Sequence, residues 1–259
     1  QLKKFLPKLL AGEGVMSVGM SEPDAGSSVT DLKTSATPNG DDFLINGSKV
    51  FGTNSAEAEV FLIYLRFGPG VDGIGSAIIE KGTPGFEIGP SYRYMNGEFW
   101  SPLYFDNCRI PESNILLGAG GFKKQISGFN IERLGNAARA VAVGRKAFSE
   151  ACEHAKSRQQ FGRDICEFQG LQWKFAEMEM RLEAAQLLLL RAVTKADSNL
   201  PSAQDAALAK LACNEAGFFA ANEALQVMGA LGFSDDNIVQ YCVRRTRGWM
   251  IAGGSSEIL

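Results

Sequence analysis

Between about Val15 and Ile115, apolar residues occur in short runs separated by turn residues. The runs are Leu32–Ala36, Phe43–Ile45, Lys49–Phe51, Val60–Phe67, Ser76–Glu80, Phe86–Ile88 and Leu103–Ile110. Asn39-Gly40 and Asn46-Gly47 separate the first three runs, and an Asn-Gly pair between alternating runs is typical of a β-hairpin. This part of the chain is therefore predicted to form a β-sandwich or barrel.

After the glycines at 118–121, the spacing of apolar positions becomes helical. Long helices are predicted at about Phe122–Ser157, from Phe168 onward, from Pro201 to Gly229, and at Asn237–Met250. The second helix carries apolar residues at alternating steps of three and four, which is typical of a helix in a bundle. Ser202 and Asp205 resemble a weak capping box at the start of the third helix.

These patterns predict an α+β multidomain fold. Residues 15–117 are expected to form the β domain, and residues 118–259 a four-helix up-down bundle. Residues 1–14 read like the last turns of a helical domain that is otherwise absent from this sequence.

Composition excludes several classes of partner. The chain has 259 residues, of which 45% are hydrophobic and 21% charged, with a net charge of −3. This balance gives no general attraction to nucleic acid or to an anionic membrane. No apolar run is long enough to span a membrane, and no signal peptide is visible. A cytoplasmic location is expected, or the mitochondrial matrix in a eukaryote.

Cysteine and histidine usage argues against a metal site. The five cysteines are widely spaced without a C-x-x-C motif, so they are interpreted as reduced thiols. The single histidine, His154, is expected to form a surface pair with Glu150, four residues earlier. A catalytic base would then have to be a carboxylate, Lys, Tyr or Cys. The turn "MSEPDAGSS" at residues 20–28 could contact a polar ligand or be an ordinary surface turn.

Several motifs, taken together, resemble the acyl-CoA dehydrogenase family. The turn at residues 20–28 is similar to that family's T-E-P-x-A-G-S-D, and "INGSKVFGTN" is similar to its I-N-G-x-K-x-W-I-T-N. "FDNCRIPESNIL", "SRQQFGRDICEFQ" and "ALQVMGALGF" continue the resemblance in the same order. It covers essentially the whole chain, and it implies a missing N-terminal helical domain and a short missing C-terminal segment.

The resemblance implies FAD as cofactor and an acyl-CoA thioester as substrate. It assigns FAD contacts to Met20, Ser21, Phe51, Thr53 and Ser255, and contacts with FAD of a neighbouring subunit to Arg158, Phe161 and Gln226. Substrate contacts are implied for Gly26, Ser27, Asn130 and Arg133. The implied assembly is a homotetramer, and the implied electron acceptor is an electron-transferring flavoprotein. Phe51 replaces the family's usual Trp and lacks its N–H donor.

The position of the catalytic base departs from the common pattern. Most family members have a glutamate in Y-E-G-T-S, where this chain has Gly253. Glu132 matches the alternative glutamate of isovaleryl-CoA and long-chain dehydrogenases and crotonobetainyl-CoA reductases. It has no cation three or four residues away, and its helical stripe is mostly small or apolar, so it is expected to be poorly solvated, as suits a general base. The alternative is a glutamate at the rim that bonds a neighbour in the bundle.

Gly253 is assigned a role through its backbone. In the family, this position donates its N–H to the thioester carbonyl, as in an oxyanion hole. The implied reaction is α,β-dehydrogenation, in which Glu132 takes the α-proton and hydride passes to flavin N5. The alternatives are a crotonobetainyl-type enoyl-CoA reductase and a non-catalytic subunit or flavin oxygenase on the same scaffold.

Overall fold

The computed structural model describes residues 2–196 and 199–259, and the chain divides into two compact units between Ile126 and Ser127. Besides three single-turn 3-10 helices, the described residues of the first unit before Phe122 form one short α-helix and nine strands. These are α1 (Leu2–Leu10), β1 (Met16–Gly19), β2 (Ser35–Asn39), β3 (Asp42–Thr53), β4 (Val60–Arg66), β5 (Ile74–Glu80), β6 (Phe86–Ile88), β7 (Tyr92–Arg93), β8 (Phe99–Pro111) and β9 (Ile115–Leu117).

The strands form one mixed sheet that folds into two layers. The order is β6-β8-β3-β2-β4-β5-β9, with β1 parallel to β4 and β7 paired with β8. β2 meets β4 through the single pair Ser35 and Arg66, so the sheet is narrow at that point. Apolar side chains of β4 and β5 pack against those of β3 and β8 in one core, which includes Phe61, Ile63 and Leu103. The predicted sandwich-like β domain is confirmed.

The two Asn-Gly pairs have different roles. Asn39-Gly40 forms the predicted hairpin turn, because Asn39 pairs with Asp42 across it. The prediction of a second hairpin at Asn46-Gly47 is wrong, since both residues lie inside the continuous strand β3. The β3–β8 register shifts there, and a Cβ on Gly47 would lie 2.7 Å from the Thr34 Cα. Close backbone approach at a β-bulge, and not a turn, therefore explains this glycine.

The long helices follow the predicted boundaries closely. They are α2 (Phe122–Ser157), α3 (Gln169–Ala196), α4 (Ala203–Met228) and α6 (Ile238–Trp249), with a one-turn helix α5 (Ala230–Phe233) and the short strands β10 (Gln159–Gln160) and β11 (Arg163–Asp164). The cap at α4 is confirmed, because the Asp205 N–H donates to Ser202 Oγ at 3.0 Å. Among the described residues, no helix has the length and apolarity of a membrane span.

Small residues let α2 and α4 approach closely. A Cβ on Gly217 would lie 2.4 Å from the Ala140 carbonyl oxygen, and a Cβ on Gly144 would lie 2.7 Å from the Gly217 Cα. Buried alanines continue this contact along both helices, while α3 contributes the larger Met178 and Leu182. The bundle core therefore depends on backbone proximity as well as on side-chain volume.

Two side-chain predictions have different outcomes. All five cysteines are free, and Cys108, Cys213 and Cys242 are buried. The predicted Glu150–His154 pair is wrong, because the Glu150 carboxylate accepts instead from Lys146 Nζ at 2.6 Å. A full ammonium charge competes better for the carboxylate than an imidazole whose pKa is lowered by burial and by Arg158.

Candidate functional site

In the first unit, a buried ion pair fixes the turn at residues 20–34. Glu22 Oε1 accepts from Lys49 Nζ at 2.8 Å and from Thr34 Oγ1 at 2.5 Å, and its Oε2 accepts from the Lys33 N–H at 2.6 Å. Lys49 also donates to the Met20 carbonyl at 3.3 Å. The Glu and Lys of the two sequence motifs are therefore direct partners, which the sequence analysis did not assign.

Burial and the neighbouring hydrogen bonds shift the pKa values of both members of this pair. Burial lowers the pKa of Lys49 to about 8, although Glu22 opposes that shift. Burial also acts to raise the pKa of Glu22, but hydrogen bonds from Lys49, Thr34 and Lys33 outweigh it and lower that pKa below its usual value. Both groups are therefore charged at neutral pH, and each depends on the other.

Phe51 lies on a second bulge in β3 and presents its ring to solvent. The register shifts between Lys49 and Gly52, Phe51 has φ of 60°, and its side chain is 58% exposed. Trp100 supports the ring at 4.6 Å between centroids, and Tyr94 Oη donates to the Phe51 carbonyl at 3.0 Å. Bulges often redirect a side chain next to a binding site. The result is a half-exposed aromatic platform.

Four residues that the resemblance assigns to FAD lie on two backbone segments that are hydrogen-bonded to each other: Met20 and Ser21 on one, Phe51 and Thr53 on the other. The Val50 N–H, beside Phe51, donates to the Ser21 carbonyl at 2.9 Å. The Thr53 carbonyl accepts from Ser17 Oγ at 2.9 Å at the other end of the same stretch. Met20 adjoins Ser21 and is anchored by Lys49, as described above. Gly26 and Ser27 lie on the exposed part of the turn, where a Cβ on Gly26 would contact nothing within 4 Å.

In the second unit, the surroundings of Glu132 differ from the expectation. The Glu132 side chain is 54% exposed, and its Oε1 accepts from Arg139 Nη2 at 2.6 Å. The expectation that Glu132 lacks a cationic partner on its own helix is therefore wrong. Arg139 follows by seven residues, which is two helical turns, so a search limited to three and four residues missed it.

The turn that contains Gly253 packs beside the helical turn that carries Glu132. A Cβ on Gly253 would lie 3.7 Å from Phe129 Cε1, and Arg133 Nε donates to the Gly253 carbonyl at 3.2 Å. Gly253 and Gly254 have φ of 76° and 100°, which favours glycine at both positions. Arg133 thus contacts the glycine turn directly.

Asn130 is a buried hydrogen-bond partner of Arg133. It is 4% exposed, its Oδ1 accepts from Arg133 Nη1 at 3.0 Å, and its Nδ2 donates to the Pro201 carbonyl at 3.2 Å. Both ends of the amide are used inside the bundle. The substrate contact expected of Asn130 stays a prediction, and in this structure its amide bonds Arg133 and the Pro201 carbonyl.

Two buried polar residues of α4 also hold the glycine turn. Lys210 Nζ donates to the Trp249 carbonyl at 3.1 Å and to the Gly254 carbonyl at 2.8 Å. Asn214 Nδ2 donates to the same Trp249 carbonyl at 2.7 Å. Lys210 has no exposed surface, and burial, assisted by the charge of Arg133, lowers its pKa to about 8.

Sequence analysis missed both residues, although a signal was present. Lys210 occupies the apolar stripe of α4, between the buried residues Ala206 and Cys213. A lysine at such a position is rarely buried without a specific role.

The remaining assigned residues also belong to the second unit, and all except the half-buried Ser255 are exposed. Phe161 and Gly162 form the two-residue loop between β10 and β11, and both have positive φ, as a type I′ turn requires. The Phe161 side chain is 94% exposed. Arg158 and Gln226 are also exposed. Ser255 follows the glycine pair, and its carbonyl accepts from the Ile258 N–H at 3.0 Å.

Comparison with known proteins identifies the family. Residues 17–108 match the model of the acyl-CoA dehydrogenase middle domain, and residues 119–259 match the acyl-CoA dehydrogenase C-terminal domain. The chain belongs to the acyl-CoA dehydrogenase family. The recognition of this family from the sequence motifs is thereby confirmed, as is the expectation that the protein is an oxidoreductase.

Individual relatives agree in both sequence and structure. An acyl-CoA dehydrogenase of Bacillus subtilis (strain 168) is 35% identical over the whole chain, which covers 69% of that protein. The structure of butyryl-CoA dehydrogenase from Megasphaera elsdenii matches 99% of this chain with a TM-score of 0.92 at 33% identity, and the match covers 68% of that structure. A 3-sulfinopropanoyl-CoA desulfinase of Advenella mimigardefordensis (strain DSM 17166 / LMG 22922 / DPN7) is 35% identical over the whole chain and 67% of its own length.

Proposed function

We propose that this acyl-CoA dehydrogenase family member performs α,β-dehydrogenation of an acyl-CoA thioester, with Glu132 as the base. The observation that carries the proposal is the packing of the Gly253 turn against the first turns of α2, through Phe129 and Arg133. Gly253 stands where most relatives carry the base, and Glu132 lies one turn from Phe129 on the helix that this glycine contacts. A carboxylate from α2 can thus replace one from the turn.

The first unit fits an FAD ring system. Phe51 offers a half-exposed aromatic face supported by Trp100, and the backbone near Ser21 and Thr53 is held in place by hydrogen bonds. A flat ligand ring can stack on such a platform. When bound, FAD supplies the redox chemistry by accepting the hydride that leaves the substrate β-carbon.

The chain's own residues supply the proton chemistry. Glu132 accepts the proton from the α-carbon, and the electron pair of that C–H bond forms the new double bond as hydride leaves the β-carbon. The Gly253 N–H donates to the thioester oxygen, where negative charge develops. Arg139 must release Glu132 for this step. Because the ion pair is half-exposed, its rupture costs only about 0–1 kcal/mol.

Exposed apolar residues support assembly with further copies of the chain. Trp173, Met180 and Leu187 repeat every seven residues along α3 and are each more than half exposed. Phe161 projects from its tight hairpin loop in the same unit. A homotetramer, in which Arg158, Phe161 and Gln226 contact FAD of a neighbouring subunit, accounts for these surfaces, and an electron-transferring flavoprotein is the proposed acceptor.

A second candidate function is chemistry that needs no α-proton base. Gly253 has no carboxylate, and the Glu132 carboxylate is paired with Arg139. A relative named as a desulfinase is as similar to this chain as a relative named as a dehydrogenase. The reverse reaction, reduction of an enoyl-CoA, uses the same residues and is tested by reoxidation of the reduced enzyme.

The test compares Glu132→Gln with Glu150→Gln in the full-length flavoprotein. Glu150 is a matched control because it lies on the same helix and forms an ion pair of the same length, 2.6 Å, with Lys146. Anaerobic flavin bleaching by a panel of acyl-CoA thioesters is followed in a stopped-flow instrument. We expect Glu132→Gln to slow bleaching about 100- to 10,000-fold, while thioester binding is retained.

The outcomes separate the two candidates. Unchanged bleaching in Glu132→Gln would eliminate Glu132 as the base. If no acyl-CoA bleaches the wild-type flavin, but a thioester still binds, the second candidate is favoured. Glu150→Gln is expected to match wild type in every measurement.

A further inference from the structure

We propose that Lys210 is a positioning residue for the Gly253 backbone N–H. This inference rests on the proposed oxyanion role of Gly253 and extends it, by assigning the group that fixes the direction of that donor. Lys210 touches neither the substrate nor the reacting atoms in this proposal. It acts through the turn that joins α6 to Gly254.

The contacts of Lys210 bracket the turn. Its ammonium donates to the carbonyls of Trp249 and Gly254, which lie on either side of residues 250–253. Arg133 donates to the carbonyl of Gly253 itself. Side chains from α2 and α4 therefore hold three backbone carbonyls in and beside the turn, those of Trp249, Gly253 and Gly254. These bonds determine the orientation of the peptide planes next to Gly253.

The Gly253 N–H is left available by this arrangement. The N–H groups of Ile251 and Ala252 both donate to the Gly248 carbonyl, whereas within the described ranges the Gly253 N–H donates to no acceptor. A glycine with φ of 76° and no side chain would otherwise sample many conformations. An oxyanion donor is effective only if its direction is fixed before the reaction. The clamp on both sides of the turn supplies this constraint.

The chemistry of Lys210 also argues against a purely structural role. A buried ammonium is costly, and no carboxylate in the part of the chain that the structure describes pairs with Lys210. An apolar residue of similar length would fill the same space between α4 and the turn at lower cost. Stability alone therefore does not require a lysine here. A side chain that donates to the carbonyls of both Trp249 and Gly254 must carry several N–H donors on one atom, as the lysine ammonium does.

The experiment uses Lys210→Met in the full-length flavoprotein, with Lys146→Met as control. Methionine keeps an unbranched side chain that is one atom shorter than that of lysine, and it removes the donors. Lys146 lies on α2 in the same bundle, and among the described residues its ammonium donates to Glu150 alone. Two readouts are compared: the kinetics of flavin bleaching by acyl-CoA, and the infrared carbonyl stretch of a bound, isotopically labelled thioester.

We expect Lys210→Met to lower kcat about 10- to 100-fold while KM changes less than threefold, since an oxyanion-hole donor is worth about this much or more. The thioester carbonyl stretch should move toward its value in water. Thermal unfolding should be unchanged or raised. Lys210→Arg should recover part of the rate, because a guanidinium can still donate to both carbonyls.

Hydrogen exchange provides a readout that does not depend on activity. Exchange of the amides at residues 249–255 should rise at least tenfold in Lys210→Met and stay constant in Lys146→Met. Unchanged exchange, or unchanged kcat and carbonyl stretch in an active enzyme, would refute the positioning role. If none of the acyl-CoA thioesters bleaches the flavin of the wild-type protein, the proposed function is refuted. Hydrogen exchange would still decide whether Lys210 fixes the turn.

Discussion

The carboxylate of Glu132 and the guanidinium of Arg139 face each other across two turns of α2, with 2.6 Å between Oε1 and Nη2. Both side chains are about half exposed. Arg139 also lies over the Trp249 ring, with 6.0 Å between its Cζ and the ring centroid. The proposed base is therefore linked, through one arginine, to the residue that begins the glycine turn.

Replacing Arg139 by Gln tests whether this pair is needed for catalysis. The pair is half-exposed, so its loss should change flavin bleaching by acyl-CoA less than about fivefold, which corresponds to roughly 1 kcal/mol. Stopped-flow bleaching of Arg139→Gln beside Glu132→Gln checks this. Equal, large losses in both variants would mean that the ion pair acts as a unit and that Glu132 is not a free base.

The buried pair of Glu22 and Lys49 is expected to matter far more for stability. Glu22→Gln leaves the Lys49 ammonium buried without its carboxylate, which should cost about 3–5 kcal/mol of unfolding free energy. Guanidinium unfolding of the whole chain, followed by tryptophan fluorescence, measures this change. Asp24→Asn is the control, because Asp24 pairs with Lys33 at 3.4 Å on the surface. A loss no larger than the control's would contradict the assignment.

Close helix contact predicts opposite effects for two glycines. Gly217→Ala should destabilise the bundle by about 1–3 kcal/mol, because its Cβ would lie 2.4 Å from the Ala140 carbonyl oxygen. Gly135→Ala on α2 should stabilise the chain by about 0.5–1 kcal/mol, since nothing lies within 4 Å of its Cβ and alanine favours a helix. Thermal melts of both variants test the pair. A neutral Gly217→Ala would show that the helices can separate without cost.

Lys210 makes stability depend on pH in a defined direction. Its pKa is about 8 in the folded chain and 10.5 as an ordinary value, so between these limits the unfolded state binds more protons. The unfolding free energy of wild type should therefore rise, relative to Lys210→Met, as pH increases from 8 to 10.5, by at most about 3 kcal/mol. Denaturant unfolding at several pH values gives this difference. A constant or falling difference would contradict the lowered pKa.

The helical half of the fold could be predicted well because its signals are local. Apolar periodicity placed the long helices, and Ser202 marked the start of α4. Asn46-Gly47 was misread because a short motif does not distinguish a hairpin turn from a bulge. The distinction depends on Thr34, a residue that is distant in sequence and close in space.

Candidate site residues could be assigned from the sequence only where a motif names them. Met20, Ser21, Phe51 and Thr53 were assigned by resemblance, and the structure gathers them on adjacent backbone. The partner of Glu132 was missed because it lies beyond the nearest helical neighbours. Lys210 and Asn214 belong to no motif. Lys210 stands out in the sequence as a lysine on an apolar stripe, but only the structure shows that both residues bond the glycine turn.

The sequence by itself determined the family, the order of the two kinds of secondary structure, and the absence of a carboxylate at residue 253. Those properties depend on residue identity and on short-range periodicity. Tertiary structure alone decided which groups hold the Gly253 turn, because hydrogen bonds from Arg133, Lys210 and Asn214 join segments that are 35 to 120 residues apart. Contacts at such separations depend on how the helices pack, which local patterns do not specify.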